Sequence, residues 1–189
     1  MAAVESQMLA LGTLAPAFSL PDPDGNHVQL RDDADAYLIM FICNHCPFVK
    51  HVRAELARLG SDYGPRNVAI YAINSNDATT YPDDGPEAMK IEAKNWGYTF
   101  PYLVDSEQTV AKSYRAACTP DFYVFDRDRQ LVYRGQLDDS RPTNDAAIDG
   151  HDVRVALDAT LAGQPIGEQQ KPSIGCNIKW RPGNEPEYF

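Results

Sequence analysis

With 189 residues, 43% of them hydrophobic and 23% charged, the chain has the composition of one globular domain that can bury a sizeable core. The formal net charge is -10 and no basic block occurs, which argues against a nucleic-acid partner, because phosphate binding depends on clustered Lys and Arg. No run of about 18 apolar residues occurs, so neither a transmembrane helix nor a membrane partner is expected.

The N-terminal MAAVESQMLALGTLAPAF has no basic n-region, and Glu5 interrupts its apolar character. No secretory signal is read there, and the expected location is cytoplasmic. In that compartment four cysteines are expected to be reduced, catalytic or metal-bound rather than locked in structural disulfides.

PAFSLPDPDGNHVQL reads as an N-terminal β-hairpin, with Asp24-Gly25-Asn26 as its turn. The continuous apolar run from Ala36 to Ile42 predicts a strand buried on both faces. A helix follows Pro47, with Phe48, Val52, Leu56 and Leu59 on one face and Gly60 or Gly64 at its end. Asn67 to Asn74 predicts a second buried strand. A loop then leads to a helix from Pro86 to about Trp96.

Thr99 to Asp105 predicts a third strand, followed by a short helix with Ser106 as its N-cap. Phe122 to Phe125 and Leu131 to Arg134 form a second hairpin, and DVRVALDATLAG a last helix ending at Gly163. Residues 1–163 thus read as one domain. Residues 164–189, rich in proline, read as an extended tail that Ile174, Ile178 and Trp180 pack back on it. The fold class is α/β, a central mixed sheet flanked by helices. In such sheets, sites form beyond the C-terminal ends of the strands.

The stretch FICNHCPFVKH lies at one of those ends. Cys43 and Cys46, three apart, share one face of a first helical turn, within disulfide range. Free amides at that helix end favour a thiolate, and Cys43, taken to lie at its mouth, is expected to be the exposed nucleophile of lowered pKa. Cys46, a turn deeper, is expected to keep its proton longer. Half of a tetrahedral zinc site is the rival reading, although no second CxxC exists. A copper-handling module is another, since thiolates suit Cu(I).

Asn44 and His45 are tuning candidates. His45 reads either as an imidazolium favouring a Cys43 thiolate or as a surface histidine. His27, His51 and His151 read as structural or surface residues, and Cys118 as core. Cys176 reads as a third redox cysteine or a buried spectator. The loop Tyr81 to Glu87 reads as solvated or as overhanging the cysteines.

The order GTLAPAFSLPDPDGNHVQL, strand, CxxC before a helix and a later Thr119-Pro120 resembles the thioredoxin superfamily. Within it the chain is similar to the redoxin (AhpC/TSA, TlpA-like) branch. CNHCPFVKH, CTPDFYVFD and PSIGCNIKW together resemble the peroxiredoxin-like group of bacterial thioredoxin-fold proteins. The resemblance implies a thioredoxin-like fold with Pro120 as a cis-proline facing the pair. Thr119 would offer backbone to an extended substrate. It implies a thiol–disulfide oxidoreductase without cofactor or metal, acting on a protein or small-molecule disulfide with a thiol reductant or oxidant as partner.

Two departures stand out. The thioredoxin-type buried acid falls on Tyr37, leaving Glu92, Asp83 or water as proton acceptor. The threonine and arginine that position peroxide in peroxiredoxins fall on Cys43 and near Pro120, so any thiol peroxidase activity is expected to be weak.

Overall fold

The structure, a computed structural model, describes residues 3–189. Its main sheet is built on β4 (Ala36–Phe41) and β5 (Val68–Asn74), which pair in parallel. Every residue of both strands is buried, as their continuous apolar runs require. β6 (Tyr102–Val104) extends the sheet in parallel beyond β5, and β8 (Asp121–Asp126) and β9 (Leu131–Gly135) extend it antiparallel beyond β4. The order is β6-β5-β4-β8-β9.

Strand alternation divides the core into two faces. Leu38, Met40 and Ile42 pack against Val49, Val52, Leu56 and Leu59 of α1 (Pro47–Tyr63), Met89 of α2 (Pro86–Trp96) and Val153 and Leu157 of α4 (His151–Leu161). Tyr37, Ile39 and Phe41 face the other way, toward Val110 and Ala111 of α3 (Thr109–Ser113) and toward Phe18, Leu20, Ile178 and Trp180. Tyr37 is therefore a core residue with no exposure, on the face away from the cysteines.

β2 (Ser19–Pro21) and β3 (His27–Gln29) form the expected N-terminal hairpin. Three local expectations differ. The third strand covers only Tyr102–Val104 of the stretch from Thr99 to Asp105. α3 starts at Thr109 with Gln108, not Ser106, at its N-cap. The cause is Asp105, whose carboxylate accepts from the Val110 and Ala111 amides at 3.3 and 2.9 Å. It thereby satisfies the second and third amides of α3, which the Gln108 side chain at the N-cap leaves free.

The third difference is a second, small sheet. β10 (Ile174–Asn177) lies between β1 (Ala3–Glu5) and β7 (Cys118–Thr119), antiparallel to both. Beyond β10, Ile178 N–H donates to Ala117 O at 3.0 Å and Lys179 N–H to Asn76 Oδ1 at 2.8 Å. Ile178 and Trp180 are buried, and each large apolar side chain so covered contributes on the order of 1.5–3 kcal/mol.

Candidate active site

β4 ends at Phe41 and α1 begins at Pro47, and the four residues Cys43 to Cys46 lie in the turn between them. Pro47 sets this boundary. Its fixed φ suits the first helical position, where a missing N–H costs nothing, and it holds the residue before it extended. Cys46 is accordingly the N-cap, with φ -66° and ψ 125°. The helix thus starts one residue after the pair, and Cys43 lies outside the first turn rather than at its mouth.

Cys43 is also not exposed. It is 1% accessible and Cys46 0%, and all four cysteines are free thiols. Burial pushes the Cys43 thiol well up, and its hydrogen bond to Cys46 and the nearby Asp84 charge act the same way. Cys46 is pushed down to about 5. The Cys43 hydrogen bond is the main cause. Burial opposes it, while the Cys176 thiol and the Val49 and Cys176 amides also favour the thiolate.

One contact works against this order: the Cys46 thiol donates to Thr119 O at 3.2 Å, which rewards the protonated form. Cys46 nevertheless sits at the N-cap of α1, where the free first-turn amides favour a thiolate, so its thiol is the one pushed down. The expected order of ionisation, with Cys43 first, is reversed. The Cys-Pro dipeptide carried the signal, because it marks Cys46 as the residue the helix amides face.

The turn is clamped by Asp84, which sequence reasoning missed. Its Oδ1 accepts from the Asn44 amide at 2.8 Å and the His45 amide at 3.2 Å. Its Oδ2 meets His45 Nδ1 at 2.5 Å and accepts from Asn76 Nδ2 at 2.7 Å. Burial works against the carboxylate, yet the His45 and Asn76 hydrogen bonds, His45 charge and the Asn44 amide together hold its pKa below the ordinary value. Asn44 is fixed by Asp83 O at 2.8 Å and by the Tyr102 hydroxyl at 3.0 Å. Tyr81 stacks on His45, with ring centres 5.1 Å apart. The loop from Tyr81 to Glu87 therefore overhangs the cysteines.

The two carboxylates considered as proton acceptors are elsewhere. Glu92 pairs with Arg53 at 3.2 Å, and Asp83 contributes only its backbone carbonyl to Asn44. The acid–base pair beside the thiols is His45–Asp84. Cys43 Sγ, a His45 ring nitrogen and an Asp84 oxygen lie within 4.8 Å of one another. His45 Nε2 is buried without a hydrogen-bond partner.

The Thr119–Pro120 peptide is cis. Thr119 Oγ1 lies 3.3 Å from Cys43 Sγ, so this turn sits directly against the pair. The Thr119 backbone, however, is not open to an extended substrate. β10 pairs with it, Cys176 opposite Thr119 and Asn177 opposite Cys118. Cys176 thus joins Cys43 and Cys46, whereas Cys118 is fully buried and its thiol donates to Pro120 O at 3.6 Å. His27 and His151 are exposed and His51 half-buried. A groove of about 760 Å3 lies at the far end of α1 and β5 around Gly60, Tyr71 and Phe100 and includes none of these residues.

Comparison with known proteins agrees with this fold. Residues 11–134 match the AhpC/TSA family. The chain is 24% identical over 130 residues to the thiol-disulfide oxidoreductase ResA of Geobacillus kaustophilus (strain HTA426), covering 67% of this chain and 70% of ResA. Among solved structures, an uncharacterized conserved protein from Geobacillus kaustophilus is 60% identical with a TM-score of 0.93, over 97% of this chain and 98% of that one. A putative thiol:disulfide interchange protein DsbE from Chlorobium tepidum is 19% identical with a TM-score of 0.64, over 81% of this chain and 99% of that one, and shares the thioredoxin-like fold. By its residues, its fold and this match across most of its length, the chain belongs to the AhpC/TSA family, within the redoxin branch of the thioredoxin superfamily.

Proposed function

We propose that the protein is a thiol–disulfide oxidoreductase in which Cys46 is the nucleophile and Cys43 the resolving thiol. The observation that carries this reading is the place of Cys46 at the N-cap of α1, where the free amides of the first turn favour a thiolate, in keeping with a pKa pushed down to about 5. A thiolate, not a thiol, attacks a disulfide. The ResA relative, named a thiol-disulfide oxidoreductase, adds support.

The Cys46 thiolate attacks one sulfur of a substrate disulfide. A Cys46–substrate bond forms, the substrate S–S bond breaks, and the leaving thiolate takes up a proton. Cys43 then gives its proton to the adjacent His45–Asp84 pair and attacks Cys46. The second substrate sulfur leaves as a thiolate and is protonated, and Cys43–Cys46 is closed. A thiol reductant restores the two thiols. His45 accepts the proton; Asp84 positions its ring through Nδ1. Because Cys46 has no exposed area, substrate attack requires the cover over it to open.

Reduction of insulin disulfides by the protein with a thiol reductant tests the reading. Cys46→Ser is expected to abolish turnover. Full turnover by that variant overturns the assignment.

A second reading is favoured by one observation, the cluster of Cys43, His45 and Asp84 within 4.8 Å. Thiolate, imidazole and carboxylate are a donor set that suits zinc, and thiolate with imidazole suits copper. Stoichiometric metal in freshly purified, reduced protein, lost in Cys43→Ser, would favour a metal-binding module.

A further inference from the structure

The C-terminal strand occupies the place where an extended substrate would lie. β10 pairs antiparallel with β7, and Cys176 is the register partner of Thr119, the residue before the cis-proline. The sequence builds this approach. A Cβ on Gly175 would stand 2.1 Å from Thr119 O, a distance no side chain tolerates, so only glycine lets the strand come this close. The remaining tail is anchored on both sides: Ser6 N–H donates to Ser173 O at 3.0 Å, and Ile178 N–H donates to Ala117 O at 3.0 Å. The position of Cys176 is therefore fixed by backbone pairing, not by a loose segment.

Cys176 shares one buried cluster with Cys43 and Cys46, and Cys46 Sγ donates at 3.2 Å to the backbone oxygen of Thr119, the residue with which Cys176 pairs. Cys46 thus lies in one cluster with two thiols of its own chain. Among the four cysteines Cys176 has the greatest exposure, 3% against 0–1% for the others.

We propose that Cys176 is a third catalytic thiol, presented by the chain's own strand as a built-in substrate, and that Cys46 alternates between disulfides with Cys43 and with Cys176. The proposal rests on Cys46 being the redox nucleophile. In the exchange step the Cys176 thiol loses its proton and its sulfur attacks Cys46 in the Cys43–Cys46 disulfide. The Cys46–Cys176 bond forms, the Cys43–Cys46 bond breaks, and its electron pair leaves on Cys43, which takes up a proton. No net oxidation occurs, so no further oxidant is needed. The step moves the disulfide from the deepest thiols to the one nearest solvent. There a dithiol reductant can attack Cys176: a reductant–Cys176 bond forms, the Cys46–Cys176 bond breaks and Cys46 takes up a proton, and the reductant's second thiol then releases Cys176 as a thiol and closes the reductant's own disulfide.

The test is disulfide mapping by mass spectrometry on full-length protein equilibrated in glutathione buffers of graded potential. Cys43→Ser is expected to form an intramolecular Cys46–Cys176 bond, cooperatively with potential. Cys43→Ser, Cys176→Ser is expected to form only a glutathione adduct at Cys46. A Cys46–glutathione adduct with free Cys176 in the Cys43→Ser protein would overturn the relay. Wild-type protein mapped in parallel separates the two ideas. A Cys43–Cys46 bond in wild type alongside a missing Cys46–Cys176 bond in both proteins sinks the relay alone. Absence of any bond to Cys46 in wild type sinks the oxidoreductase reading as well. Cys176→Ala, mapped the same way, shows that the relay needs the thiol and not the strand: it is expected to keep Cys43–Cys46 and lose the second bond.

Discussion

His45 Nδ1 and Asp84 Oδ2 meet at 2.5 Å across 39 residues of chain. This contact ties the loop before α2 to the turn that holds the cysteines. The same carboxylate accepts from the Asn44 and His45 amides and from Asn76. Removing it leaves several buried donors unpaired. Asp84→Ala is therefore expected to cost about 1.5–3 kcal/mol, the range for a hydrogen bond to a charged group, and to slow resolution of a mixed disulfide. Urea unfolding and single-turnover kinetics read the two effects separately. The folded pKa of Asp84 is lowered, so its contribution is present above the unfolded value of about 3.9 and is lost as pH falls below it.

The thiolate itself provides a second prediction. With Cys46 pushed down to about 5, ultraviolet thiolate absorbance is expected to rise well below the free-thiol value of about 8.5. Alkylation is expected to follow the same curve. Serine can still donate to Cys46, so Cys43→Ser keeps the early rise, whereas Cys43→Ala moves it upward. An unchanged curve in Cys46→Ser would assign the first ionisation elsewhere.

Much of this site was legible in the sequence, and the remainder was not for definite reasons. The buried strands announce themselves as uninterrupted apolar runs, and Cys-x-x-Cys between strand and helix locates the chemistry. The order of ionisation turns on where the helix begins: counted from Cys43 it favours that thiol, and counted from Pro47, its observed start, it favours Cys46. Asp84 sits among neighbouring acids, Asp83 and Glu87, and only folding selects which one turns inward. β10 is four residues long and lies among prolines and glycines. Its pairing depends on a backbone approach that Gly175 permits and that no periodicity reveals.

Asp121 predicts an unusual pH profile of stability. It is fully buried, and the Ser6 and Tyr123 hydroxyls donate to it at 2.8 and 2.9 Å. Burial nevertheless pushes its pKa up to about 7, with those hydrogen bonds opposing. The folded state then holds an extra proton between about 3.9 and that value. Its contribution is complete below about 3.9 and is lost as pH rises through about 7. Asp121→Asn is expected to flatten this slope, raising the melting temperature at pH 8 more than at pH 5. Parallel profiles for the two proteins would refute it.

The tail contributes to stability as well as to the site. Deleting residues 171–189 removes β10, the partner of both β1 and β7, and uncovers the face against which Ile178 and Trp180 pack. A lowered melting temperature is expected from differential scanning calorimetry. An unchanged one would show that β10 is dispensable.

Peroxide is expected to be a poor substrate. The cysteine thiols hydrogen-bond to Thr119 and Pro120, and no arginine side chain hydrogen-bonds any of them among the described residues. Stopped-flow oxidation of reduced protein by hydrogen peroxide is expected to match an ordinary thiol of the same pKa. A rate several orders of magnitude higher would mark Cys46 as peroxidatic.

The most direct test of the central claim is to find which sulfur holds the substrate. Reduced variants are mixed with a disulfide-containing peptide, quenched with acid and mapped by mass spectrometry without reductant. Cys43→Ser, Cys176→Ser is expected to accumulate a covalent peptide adduct at Cys46, because both resolving thiols are gone. Cys46→Ser is expected to remain unmodified. A peptide adduct at Cys43 in the Cys46→Ser protein, with none at Cys46 in the double variant, would contradict the account.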